Sequence, residues 1–109
     1  MIGPERIGYW SGKIAPNNEK THQHLVAGRR YRVVKKFSDY DQHWHLPNEE
    51  WTFLGASFLS YESGVSLFVS VDPKAEWHIR LQWENDEQQE VLDSLHEYIE
   101  EIQQHQASR

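Results

Sequence analysis

Four of the chain's seven histidines stand in two His-x-His pairs, His22/His24 and His43/His45. Residues two apart in an extended backbone point the same way. An extended stretch from Asp39 to His45 would therefore present Asp39, Asp41, His43 and His45 on one face. Two imidazoles with a carboxylate are the donor set of a divalent transition-metal site. Zinc usually takes a fourth ligand, and His22 or His24 could supply it from the polar segment ahead. The metal reading thus rests on Asp41, His43 and His45 with help from His22 or His24. Its competitor is a half-buried strand that turns Tyr40 and Trp44 inward and its charged groups outward. Beyond that divalent ion, the sequence implies no cofactor.

A second candidate site is aromatic. Five Trp, five Tyr and four Phe are more than a core of this size hides completely, because Trp and Tyr keep a polar edge near water. Tyr40, Trp44 and Trp51 lie close in sequence to Asp39, Asp41, Glu49 and Glu50. Rings rimmed by carboxylates suit a cationic or peptide ligand, held by cation–π and Coulomb attraction. The alternative is that these rings pack the loop onto the sheet. Enzyme signatures are missing: there is no Gly-x-Gly-x-x-Gly, no phosphate loop, no His-Glu-x-x-His and no Gly-x-Ser-x-Gly. Ser57 and Ser66 are flanked by apolar residues and have no base nearby in sequence. With no cysteine in the chain, disulfides, thiolate metal sites and thiol catalysis are excluded.

Charge is laid out unevenly along the 109 residues. Residues 1–83 carry 10 Lys/Arg against 9 Asp/Glu, whereas residues 84–109 carry 1 against 8, so the net charge of −6 belongs to the C-terminal end. Arg29, Arg30, Arg32, Lys35 and Lys36 form a basic cluster, but the chain as a whole repels phosphate, which argues against nucleic acid. The simpler expectation is a solvated strand face partly neutralised by the acidic tail. Glu97, Glu100 and Glu101 fall near the end of an expected helix, where the macrodipole disfavours them. They are therefore a candidate docking surface for a basic partner. No apolar run is long enough to span a bilayer and no secretory signal is visible, so a cytoplasmic location is expected.

The elements that must position these residues are legible in outline. One domain is expected, organised as an irregular N-terminal arm over residues 1–25, an α+β domain over 26–104 and a tail over 105–109. Tyr31 to Phe37 alternates imperfectly as a strand, and Ser38 to Glu50 reads as a long loop or irregular hairpin. Trp51 to Leu59 and Val65 to Val71 form a central hairpin, with Gly64 supplying the turn's positive φ. Trp77, Ile79, Leu81 and Trp83 alternate with His78, Arg80 and Gln82. After a cap at Asn85 or Asp86, Val91, Leu92, Leu95, Tyr98, Ile99 and Ile102 recur at helical spacing, predicting a helix of about 17 residues. Its apolar stripe should cover the face formed by Trp77, Ile79, Leu81 and Trp83. The expected fold is a curved antiparallel sheet, or a small, partly open SH3-like barrel, of four to five strands with one C-terminal helix packed on it.

Gly28-Arg29-Arg30-Tyr31-Arg32-Val33-Val34, the run Glu50 to Leu59 containing Trp51-Thr52-Phe53-Leu54-Gly55, the Gly64 turn and Ile79-Arg80-Leu81-Gln82 together resemble a bacterial family of small domains of unknown function. The resemblance spans roughly residues 26–102. It implies a bacterial, cytoplasmic protein and supplies no activity. The functional expectation is a non-catalytic protein-interaction module whose partner is a protein or peptide. Binding would use the aromatic loop (Tyr40, Trp44, Trp51) or the acidic helix face (Glu97, Glu100, Glu101). A divalent-metal domain using Asp41, His43 and His45 is the alternative, and a homo-oligomer is compatible with either.

Overall fold

The computed structural model describes residues 1–13, 18–59 and 64–102. In chain order its elements are β1 (Ile2–Arg6), β2 (Asn18–Glu19), β3 (Thr21–His22), β4 (Leu25–Val26), β5 (Arg30–Val33), β6 (Phe37–Ser38), β7 (Trp44–His45), β8 (Glu50–Leu59), β9 (Gly64–Ser70), β10 (Ala75–Gln82), α1 (Asp86–Asp93), α2 (Leu95–Tyr98) and β11 (Ile99–Glu101). Among the described residues seven strands make one sheet in the order β1-β10-β9-β8-β5-β11, with β2 added along β8. Every pairing is antiparallel. Two small hairpins, β3–β4 and β6–β7, stand apart from it.

The fold is α+β, but the sheet is open. Its ends, β1 and β11, do not meet, so the expected SH3-like barrel of four to five strands gives way to a seven-stranded open sheet. The expected irregular arm contributes edge strand β1, paired with β10 through Ile2↔His78 and Arg6↔Ala75. Glycine enables one close approach in particular: a Cβ on Gly55 would lie 3.0 Å from the Glu19 carbonyl oxygen of β2. Gly64 is the first residue of β9. There a Cβ would sit 2.8 Å from the Leu81 carbonyl oxygen, and the turn itself lies outside the described residues.

One face of the sheet carries the core. Val65, Leu67 and Val69 of β9, Ile79 and Leu81 of β10, and Val91, Leu92 and Leu95 of the helices are buried together, with Trp77 and Trp83 packed at the edge. The helix thus covers the face expected from alternation. Asn85 caps α1, its side chain accepting from the Glu87 and Gln88 amides. The helix is shorter than its periodicity suggests. α1 stops at Asp93, Ser94 leaves helical geometry, and after the single turn of α2 the backbone extends into β11. There Ile99, Glu100 and Glu101 pair with Val33, Arg32 and Tyr31. Closing the exposed edge of β5 satisfies a row of backbone groups that a continued helix would leave open.

The other face is also covered. All seven positions of β9 are buried, because the N-terminal segment folds back over it. The Trp10 ring stacks on Phe68 at 6.3 Å and meets His78 edge-on at 5.2 Å. Glu76, fully buried, holds this strap. Its carboxylate accepts from the amides of Gly8 (2.7 Å), Trp10 and Ser11 (both 2.9 Å) and from the Ser11 hydroxyl (2.8 Å). A buried charge is tolerable only with partners of this kind. Burial pushes its pKa upward, but the Gly8, Ser11 and Trp10 hydrogen bonds outweigh burial and hold the carboxyl below its ordinary range.

Candidate functional site

The β6–β7 hairpin is built around one buried carboxylate. Asp39 Oδ1 accepts from the amides of Asp41 (2.9 Å) and His43 (3.1 Å), closing the turn. Its Oδ2 meets the Met1 amine at 2.6 Å and His45 Nε2 at 2.8 Å. On its other side His45 Nδ1 lies 2.7 Å from Glu49 Oε2, which also accepts from the Trp51 indole at 3.1 Å. Burial works against charge on both members of the central pair. The hydrogen bonds from His45, the Met1 amine and the His43 amide nevertheless bring Asp39 down to about 2. For His45, burial is outweighed by Asp39 and Glu49, which raise its pKa.

This network fixes the neighbouring side chain. His45 has no exposed surface, so strand alternation turns Trp44 outward, where 54% of its surface is exposed. Trp44 borders a groove of about 250 Å³ between the hairpin and α1, lined by Lys36, Phe37, Ser38, Glu87, Glu90, Val91 and Tyr98. Lys36 Nζ stands 5.8 Å from the Trp44 ring and Lys35 Nζ 4.6 Å from the Tyr98 ring. The Tyr98 hydroxyl donates to Glu90 Oε2 at 2.9 Å. Burial and that carboxylate raise the phenol's pKa. The groove therefore has an apolar floor, a carboxylate rim on the helix side and the Lys36 amine on the hairpin side, with the Lys35 amine beside Tyr98.

The structure separates residues that the sequence grouped. Asp39 to His45 is a turn and not an extended strand, with Gln42 at φ +63°, so the four alternate side chains do not share a face. Asp41 pairs with Arg80 through two hydrogen bonds and leaves the histidines. His43 and His45 do come together, with ring centroids 4.9 Å apart, and Glu49 takes the place expected of Asp41. His22 and His24 belong to the β3–β4 hairpin and its turn and do not join them. His22 is buried edge-on to Phe58, and burial, then the nearby His24, lowers its pKa. His24 Nε2 meets the Ile99 carbonyl at 2.7 Å.

The aromatic trio is likewise divided. Trp51 is fully buried in the core beside Tyr31 and leaves no surface exposed. Tyr40 is exposed, but its ring lies under the Arg80 guanidinium at 5.0 Å, away from the groove. Of the acidic trio, Glu97 is exposed on α2. Glu100 and Glu101 lie on β11 and not on a helix, paired with Arg32 (2.9 Å) and Arg29 (3.4 Å). Arg32 and Arg29 of the basic cluster are thus partly neutralised by the acidic end, as the charge layout suggested, and Glu97, Glu100 and Glu101 do not share one helix.

Sequence reasoning missed a base for Ser66. Its hydroxyl lies 2.6 Å from His78 Nε2 across β9 and β10, beside a pocket of about 190 Å³ also lined by Trp10, Lys13, Asn18, Ser57 and Phe68. Burial, then Arg80, lowers His78 to about 4, so the imidazole is neutral near pH 7. Ser66 is only 1% exposed, sealed from solvent beneath the strap. Alternation along β10 carried the signal, since it places Glu76, His78 and Arg80 on one face.

The model of the family described as "Domain of unknown function (DUF3601)" matches residues 13–104. The chain belongs to that family. It is similar to the solved structure of an integron cassette protein from the mobile metagenome of Vibrio cholerae. The two share 32% identity with a TM-score of 0.72, over 77% of this chain and 92% of that one. No curated protein matches the chain. Among the described residues no helix is long and apolar enough to cross a membrane.

Proposed function

We propose that this domain is a non-catalytic interaction module that receives a short segment of a partner protein in the groove between α1 and the β6–β7 hairpin. The observation that carries this reading is Trp44, exposed over 54% of its surface beside a fully buried His45. A large ring held outward by a rigid, buried ionic network is preorganised for contact. Covering its remaining surface, roughly 130 Å², would contribute about 3 kcal/mol, the scale of an interface hot spot.

Charge selects the occupant. Glu87 and Glu90 rim the groove opposite Lys36, with the Lys35 amine over the Tyr98 ring, while the helix has acidic residues in its first turn and no basic residue in its last. A segment pairing an aromatic or aliphatic side chain with a nearby Lys or Arg complements that rim. The test is selection from a library of short synthetic peptides. Enrichment of basic-plus-apolar sequences that bind the native protein, and lose binding to Trp44→Ala and Glu87→Lys/Glu90→Lys variants of unchanged stability, is the expected result. Selected peptides that bind those variants as well as the native chain would overturn it.

A further inference from the structure

His43, His45 and Glu49 each offer one ligand atom, and the three atoms lie within 4.8 Å of one another. We infer that these side chains form a divalent-metal site, with zinc the cation that their donors suit best and Asp39 the outer carboxylate that orients His45.

Two imidazoles and one carboxylate are a recurring set for zinc that leaves a position for water or for a group brought by a ligand. What distinguishes this cluster from a chance gathering of polar groups is the support behind it. Asp39 Oδ2 lies 2.8 Å from His45 Nε2. That contact fixes the ring so that Nδ1 faces Glu49, the carboxylate–histidine–metal arrangement that raises ligand basicity and sets the tautomer. Asp39 is itself held by the Asp41 and His43 amides, and Glu49 by the Trp51 indole. His43 is exposed and gives the ion a path from solvent, while His45 forms the buried floor. Nδ1 and Glu49 Oε2 stand 2.7 Å apart across a shared proton, closer than the roughly 3.3 Å between two ligands on tetrahedral zinc. The ion would therefore take the place of that proton and open the pair by about half an ångström. Asp41 is excluded from the set by its two bonds to Arg80.

The experiment is calorimetric titration of the untagged full chain with zinc chloride near neutral pH. One equivalent should bind with a micromolar or tighter dissociation constant. His43→Ala and Glu49→Gln should each weaken it about tenfold or more, whereas Asp41→Asn should bind like the native chain. Because His43 is exposed, His43→Ala is expected to keep the native far-ultraviolet dichroism and carries the test even if Glu49→Gln does not fold. No saturable binding up to submillimolar zinc would overturn the inference. So would native affinity in folded His43→Ala, which would place the ion on other imidazoles.

Discussion

Glu76→Gln keeps the shape of a buried side chain while removing its charge, and the geometry of the strap sets the consequence. In the native protein Oε1 accepts from the Gly8 amide and the Ser11 hydroxyl, and Oε2 from the Trp10 and Ser11 amides. The best orientation of an amide leaves its oxygen on the latter pair and turns its NH2 toward Ser11 Oγ, which can rotate to accept. The Gly8 N–H then faces another donor. One buried orphan donor costs about 1–3 kcal/mol, and the remaining bonds lose their charge assistance, partly offset by relief of the carboxylate's desolvation. The net loss should be about 3 kcal/mol, or roughly 10–20 °C in melting temperature for a domain of this size. Urea denaturation would measure it, and amide exchange at Gly8, Trp10 and Ser11 would localise it to the strap. A loss below about 0.5 kcal/mol with native exchange at those amides would refute the claim that Glu76 holds the strap over the sheet.

His78 titrates at about 4 in the fold against an ordinary 6.5, so its contribution is complete above pH 6.5 and is lost as pH falls from there toward 4. Urea midpoints should decline over that interval and His78→Gln should flatten the decline. Asp39, at about 2, adds a further loss only in stronger acid. Trp51→Ala should cost about 3–5 kcal/mol of stability, read by the same denaturation, since the ring is core and not contact surface. The exposed Arg32–Glu100 pair should show a coupling below about 1 kcal/mol in a double-mutant cycle, because β11 is held by its backbone ladder and by buried Ile99.

The parts legible in sequence were those set by local period and local chemistry. Trp77, Ile79, Leu81 and Trp83 alternate without a fault, Asn85 is a good cap, and Val91, Leu92 and Leu95 recur at helical spacing. From these the packing of helix on sheet follows. The end of the helix was hidden because Tyr98 and Ile99 fit a helical stripe and a strand start equally well, and only the open edge of β5 decides between them. The His-x-His pair drew notice at His43/His45, but its partners did not. Asp39 and Glu49 reach His45 through a turn with a residue at positive φ, a geometry that no period describes. Trp51 was misplaced by its neighbours in sequence, although Trp51 and Phe53 alternate as a strand core should. The clamp at Glu76 carries no local signal, because its partners Gly8, Trp10 and Ser11 lie more than sixty positions away in the chain.

The central claim is that Trp44 and the groove beneath it receive a peptide segment. Following the indole N–H resonances by ¹H–¹⁵N spectroscopy during titration with a selected basic–apolar peptide tests it most directly. Saturable displacement of the Trp44 indole together with the Val91 amide, with the Trp51 indole unmoved, is the predicted result. Displacements confined to other surfaces, with Trp44 and Val91 unmoved at saturation, would contradict it.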